Sequence, residues 1–269
     1  ALDVCEITFP GEAGGNPGYI YMIPAGLVSL DEIGSGKADA RWGISAAESC
    51  RKAVELAQSG HVAAIVSTPF NKEAFHLAKI DAMDDMEYFE QCFGYQNTAY
   101  MIGEIAGLWI TMVTFHVSFR AVPDLINTKT VLQKIRTLHD VMKSAGISQI
   151  KIGVAGLNVH SGEGGMFGRE EIDSIRPAID LALKEGYDVV GPIPGDSLFT
   201  KALRGEYCGL VCMYHDQANI GRKILGLDKP GVTFYLGMPV PVLTVPHGTA
   251  YDIAWQGKAN HKLLLRALL

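Results

Sequence analysis

The chain has 269 residues, of which 48% are hydrophobic, enough to bury a large core in one big α/β body or two lobes sharing a cleft. A net charge of −6 supplies no basic stripe to follow a phosphate backbone, which argues against nucleic-acid binding. No apolar run reaches the roughly 18 residues of a membrane span, and five scattered cysteines without a CxxC pair suggest a reducing, cytoplasmic setting.

Short apolar runs alternate with longer amphipathic stretches. Ile44 to Gln58 reads as a helix and His61 to Ser67 as a buried strand. Leu108 to Phe115 is a second strand and Thr128 to Ala145 a long helix. Ile150 to Leu157 is a third strand, followed by a glycine-rich loop and a helix over Glu170 to Glu185. Asp188 to Val190 and Leu210 to Tyr214 complete the set. Continuous Val/Ile/Ala runs separated by helices predict a mostly parallel sheet covered on both faces. Val232 to Val245, with its prolines and aromatics, reads as hairpin or edge-strand material.

Ligands of such sheets sit beyond the carboxyl ends of the strands, and three histidines fall there. His116 follows VTF, His160 follows VAGLN and His215 follows VCMY. Three imidazoles suit Zn, Fe, Ni or Co and leave coordination positions open for substrate oxygens. Asp196, in the turn GPIPGDSLF, is a candidate acid/base or the N-cap of a helix over Ser197 to Leu203. Asp216 beside His215 is a candidate to orient an imidazole. Lys223, eight residues after His215, is a candidate cation for a carboxylate or developing negative charge. The stretch NVHSGEGGMFGR at 158–169 allows close backbone approach to a ligand, although it is not GxGxxG.

VAGLNVHSGEGGMFGREEIDSIRPAI and VCMYHDQANIGRKIL, with STPFNKEA and TFHVSFRAV, closely resemble the 4-hydroxythreonine-4-phosphate dehydrogenase family in order along nearly the whole chain. The resemblance implies that His116, His160 and His215 bind a divalent metal, zinc first, with Asp196 and Lys223 as catalytic residues. HGTAYDIAWQGKAN at 247–260 is similar to the HGSAPDIAGKGIAN loop of isopropylmalate and isocitrate dehydrogenases, which wraps the adenosine half of the cofactor. That match implies NAD, with His247, Gly248, Thr249, Asp252 and Asn260 on the cofactor side. Both families share two α/β/α lobes around a cleft with mostly parallel sheets and are usually homodimers. The expected lobes are 1–80 with 251–269, and 81–250. Family members normally begin with a GDPAG-type segment, which is expected to be trimmed or absent ahead of Ala1.

Departures from the family pattern bear on substrate. Asp85-Met86-Glu87 stands where the phosphothreonine enzymes carry the His-Thr pair of GHTE, Thr233 replaces their substrate-binding Asn, and Val242 their Arg. A carboxylate at Asp85 would repel a phosphate, so these positions predict an unphosphorylated substrate. The expectation is an oxidative decarboxylation of terephthalate cis-dihydrodiol to protocatechuate, with Arg222, Thr233 and Asp85 in contact with substrate and Arg120 a further candidate for its second carboxylate. Two alternatives stand beside it: a dehydrogenase of 4-hydroxythreonine 4-phosphate or a related sugar acid, and a zinc-dependent hydrolase.

Overall fold

The computed structural model describes residues 3–25, 37–96, 98–226 and 229–269; Ala1, where the expected leading segment would join, lies outside them. The chain divides into two compact units, Ala1–Tyr100 with Thr233–Leu269, and Met101–Val232. Each is an α/β arrangement. No helix among the described residues is long and apolar enough to cross a membrane.

In the first unit, β1 (Asp3–Glu6) and β2 (Tyr19–Met22) form a small parallel sheet of their own. Helix α1 (Ala40–Gln58) starts at Asp39, whose carboxylate accepts the Arg41 N–H at 2.8 Å. Its buried residues Gly43, Ala47, Cys50, Val54 and Ala57 recur every three or four positions, the stripe of a helix lying on a core. After β3 (Ile65–Ser67), α2 (Lys72–Leu77) is capped by Asn71 and α3 (Asp85–Phe93) by Asp84. Gly43 lets α1 and α2 approach closely, since a Cβ there would lie 2.2 Å from the Ala74 carbonyl oxygen.

The second unit opens with the hairpin of β4 (Tyr100–Ile105) and β5 (Leu108–Met112). Next come α4 (Val122–Leu125), α5 (Thr128–Ser144), β6 (Ile152–Ala155), α6 (Arg176–Lys184) and β7 (Val189–Ile193). The unit ends with α7 (Gly195–Leu203), β8 (Gly209–Cys212) and α8 (His215–Leu225). Strand order is β4-β5-β8-β6-β7, parallel except for the first hairpin. Every residue of β5, β6 and β8 is buried, as expected for parallel strands covered on both faces. Helix α5 has a capping box, Asn127 and Thr130 each accepting the other's backbone N–H, and buries Val131, Ile135, Leu138 and Met142.

Returning to the first unit, β9 (Gly231–Leu236) and β10 (Val242–Thr244) pair antiparallel, the hairpin read from the sequence, and β10 runs parallel to β3. The chain closes with α9 (Lys262–Leu268). The core helices and parallel strands stand where the sequence placed them, with ends that differ by up to four residues: β3 starts four residues later, β6 is shorter at both ends, β7 runs three residues further, and α1 starts four residues before Ile44. The expected helix over 170–185 is divided: Glu171–Ile175 forms a π-helical turn before α6 begins at Arg176-Pro177. Pro177 has no N–H to give, which favours a new first turn there.

Candidate active site at the strand ends of the second unit

β5, β8 and β6 are neighbours and parallel, so the segments leaving their carboxyl ends emerge on one edge. The backbone continues the registration past the strands: Val113 donates to the Cys212 carbonyl and Thr114 to that of Met213. His116 and His215 leave from these two ends, and their rings lie 5.7 Å apart between centroids. Phe115 packs against both, at 4.4 and 6.2 Å. The His215 Nδ1 is 2.7 Å from Asp216 Oδ1; an N–H donated there leaves Nε2 with its lone pair.

His160 lies on an unusual loop. Residues 160–164 all have left-handed backbone angles, with φ of 51°, 52°, 81°, 43° and 68°. Glycine fills two of these positions, but His160, Ser161 and Glu163 are not glycine, and each costs roughly 1 kcal/mol in this conformation. The conformation persists because the surroundings dictate it. The Glu171 carboxylate accepts the N–H groups of Leu157 and Asn158 at 2.7 Å each and the Asn158 side-chain amide at 2.9 Å.

Two nitrogen donors on neighbouring strand ends fit a divalent metal as part of its ligand set. Within this chain the third does not join them: no group of three His, Cys, Asp or Glu side chains converges among the described residues. His160 and His116 are exposed, and the His215 side chain is 41% exposed.

The other candidates separate clearly. Asp196 is the second residue of α7 and makes no side-chain cap; Pro194 occupies the cap position, so the N-cap alternative does not hold. Asp196 remains exposed at a helix start, where an anion is favoured. Gln217, which the sequence reading passed over, organises this edge. Its Nε2 donates to the Gly156 carbonyl at 2.8 Å and its Oε1 accepts from Met213 N at 2.7 Å. A Cβ on Gly195, at the start of α7, would lie 2.8 Å from the same Nε2. Gln217 stands in the HDQ motif beside His215, and folding alone decides that it is the polar residue turned inward there.

On α8 the two cations point apart, as 100° spacing requires. Arg222 is buried at 7% exposure, its guanidinium against Gly103 of β4 and its Nη1 donating to Asn219 Oδ1 at 3.3 Å; Lys223 is exposed. Arg120 is exposed in the turn after His116.

In the first unit, the Tyr235 hydroxyl donates to Asp85 Oδ1 at 3.1 Å. Burial raises the Asp85 pKa above the ordinary aspartate value, the tyrosine bond opposing that shift in part and the neighbouring Asp84 charge adding to it. Thr233 and Val242 are buried in the β9–β10 hairpin, 4% and 0% exposed. The 247–260 segment follows β10. His247 and Gly248 are exposed, with the His247 Nδ1 2.8 Å from the Gly248 carbonyl oxygen. Asp252 lies in a 3-10 turn, and Asn260 Oδ1 accepts the Lys262 N–H at the start of α9. Thr249 and Tyr251 line a cavity of about 250 Å³ with Trp42, Phe70, Asn71 and Phe75.

Comparison with known proteins gives this arrangement its family. The family described as pyridoxal phosphate biosynthetic protein PdxA matches residues 12–269. A Pseudomonas aeruginosa relative, provisionally named 4-hydroxythreonine-4-phosphate dehydrogenase 2, is 38% identical over 233 residues, covering 86% of this chain and 68% of the relative. The crystal structure of 4-hydroxythreonine-4-phosphate dehydrogenase from Klebsiella pneumoniae is similar with a TM-score of 0.84 and 33% identity over 99% of this chain and 80% of that one. A terephthalate 1,2-cis-dihydrodiol dehydrogenase from Burkholderia xenovorans is more distant, with a TM-score of 0.66 and 25% identity over 100% and 82% of the two chains.

These likenesses favour the phosphorylated hydroxy-acid alternative over the dihydrodiol expectation, and the structure supplies a physical reason. Thr233 and Val242 are buried in a hairpin, and one Asp85 oxygen already accepts from the Tyr235 hydroxyl, so these departures weigh less against a phosphate. The hydrolase alternative gives way to the dehydrogenase names of the relatives. By the extent of these matches, the chain is an oxidoreductase that belongs to the PdxA family.

Proposed function

We propose that the chain is an NAD-dependent, divalent-metal-dependent dehydrogenase that oxidises the secondary alcohol of a phosphorylated hydroxy acid, 4-hydroxythreonine 4-phosphate or a related sugar-acid phosphate. The observation that carries this reading is the likeness to the Klebsiella enzyme over 99% of the chain. The pairing of His116 with His215 at adjacent strand ends supports it.

His116 and His215 would hold the metal, with His160 as the third protein ligand. A metal in that position would lower the pKa of the substrate hydroxyl and polarise the ketone formed from it. Asp216 keeps the His215 ring oriented. Asp196, exposed at the start of α7, is the proposed acceptor of the hydroxyl proton. Lys223 lies eight residues, or about 12 Å, along α8 from His215 and is the proposed cation for an anionic group of the substrate. Arg222 receives no substrate role: it is packed against β4, and the second carboxylate that motivated it belongs to the diol.

The loop 247–260 is the proposed cofactor side, through His247, Gly248, Thr249, Asp252 and Asn260. The aromatic cavity that Thr249 borders suits a flat heteroaromatic ring.

The test is NADH formation across a panel: 4-hydroxythreonine 4-phosphate, a four-carbon sugar-acid phosphate, their unphosphorylated forms and terephthalate cis-dihydrodiol, with and without chelator. Turnover of the phosphorylated substrates, abolished by chelator, is expected. Turnover of the dihydrodiol alone would overturn the reading.

A further inference from the structure

Glu171, which binds the loop amides, takes no part in the proposed chemistry, yet it is one of the most enclosed carboxylates of the second unit, 3% exposed. It stands at the first residue of the π-helical turn before α6, with its oxygens directed at the loop that leaves β6. One oxygen accepts two consecutive backbone N–H groups, those of Leu157 and Asn158, and the other accepts from the Asn158 carboxamide. Asn158 also donates to Glu170 Oε2 at 2.6 Å.

The carboxylate is clasped on two sides. A Cβ on Gly162 would lie 2.8 Å from Glu171 Oε2, and one on Gly156 would lie 3.1 Å from Oε1 and 2.6 Å from Ser161 Oγ. The backbone therefore closes on this one side chain at both Gly156 and Gly162, which bracket His160. The left-handed run has other ties as well: Ser161 N–H to the Asn158 carbonyl, Met166 N–H to that of Glu163, Phe167 N–H to that of Gly162, and a longer Ser161 Oγ contact of 3.5 Å to the Pro192 carbonyl of β7. Those to Asn158 and Gly162 lead back to residues against which Glu171 lies.

We infer that Glu171 is a positioning residue: its buried carboxylate is the post around which residues 157–162 wind, and it fixes the left-handed loop that presents His160. The inference rests on the proposed reading only in that His160 is taken to be a metal ligand. The leading turn of α6 thus acts on the His160 loop in addition to the ties that the loop and its lead-in make to the sheet edge through Gly156 and Ser161. Charge-assisted acceptance of two backbone amides is strong, and its loss frees the loop without touching the core strands.

The experiment compares wild type with Glu171→Ala and Glu171→Gln, the latter keeping an acceptor for both amides. Amide hydrogen exchange is read in metal-free protein, and Zn²⁺ affinity by chelator competition. In Glu171→Ala, amides of 161–165 are expected to exchange at least about tenfold faster while β6 and α5 stay protected, and Zn²⁺ affinity to fall about 10- to 100-fold. Glu171→Gln should restore most of both. Unchanged loop exchange in Glu171→Ala overturns the inference. If Glu171→Ala does not fold, Asn158→Ala replaces it: faster exchange of the same amides supports the inference and unchanged exchange overturns it. His160→Ala separates the two layers. If it leaves Zn²⁺ affinity unchanged, the metal assignment of His160 fails, while the exchange result still decides the role of Glu171.

Discussion

The carboxamide of Gln217 donates to the carbonyl of Gly156 across 2.8 Å, joining the ends of β8 and β6 just beyond their last paired residues. Its oxygen is occupied as well, by the N–H of Met213. One side chain thus sets the spacing between the segment that carries His215 and the segment that leads to His160. Gln217→Leu should leave Met213 N–H, whose residue is 0% exposed, without its acceptor. A loss of about 1–3 kcal/mol is expected, seen as a fall of several degrees in thermal denaturation. A variant as stable as wild type would show that the bridge contributes nothing.

Asp216 touches the proposed metal site only through His215. Asp216→Asn should weaken metal binding about 10- to 100-fold, and His116→Ala or His215→Ala should lower it further. Metal content after dialysis is the readout, beside NADH formation. Retention of stoichiometric metal by both histidine variants would rule out the pair as ligands.

Gly103 has no space for a side chain because the Arg222 guanidinium lies on it; a Cβ there would be 2.6 Å from Cζ. Gly103→Ala displaces the end of a flexible side chain rather than backbone and should cost about 1 kcal/mol, the low end of overpacking. Chemical denaturation measures it. Arg222→Met, of similar reach but uncharged, should leave the Michaelis constant for the phosphorylated substrate unchanged, because Arg222 is a packing residue in this fold.

The raised pKa of Asp85 makes a signed prediction. The folded protein holds this proton more tightly than the unfolded chain does, so the unfolded state binds fewer protons. Stability from this group is therefore full below its ordinary value and declines as pH rises through the higher native value. Asp85→Asn should remove that decline: its stability relative to wild type should improve from acid toward neutral pH, in denaturation measured across that interval. A constant difference across pH would refute the account.

Cys212 is enclosed in β8 and Cys50 in α1, and burial pushes both thiols up to about 12. Neither is a thiolate at pH 8, and neither is reachable. Native protein treated with iodoacetamide should be unmodified at both positions by mass spectrometry and modified at both after denaturation.

Much of this molecule was legible in the sequence because the relevant physics is local. A run such as GLVC can be buried on both faces only inside a covered sheet, and the spacing of Val131, Ile135, Leu138 and Met142 makes α5 a helix with one core-facing stripe. The motifs around His116, His160 and His215 identified the family, because residue order survives along a chain. What each polar residue faces depends on contacts between residues distant in sequence, and only the tertiary structure decided it. It put Arg222 inward and Lys223 outward, gave the Asp85 carboxylate a tyrosine partner 150 residues away, and buried Thr233 in the β9–β10 hairpin. It also made Glu171 and Gln217, unremarked within their motifs, the two side chains that set the loops around the histidines. A buried hydrogen bond is decided by which groups meet after folding, and periodicity along the chain carries no record of that encounter.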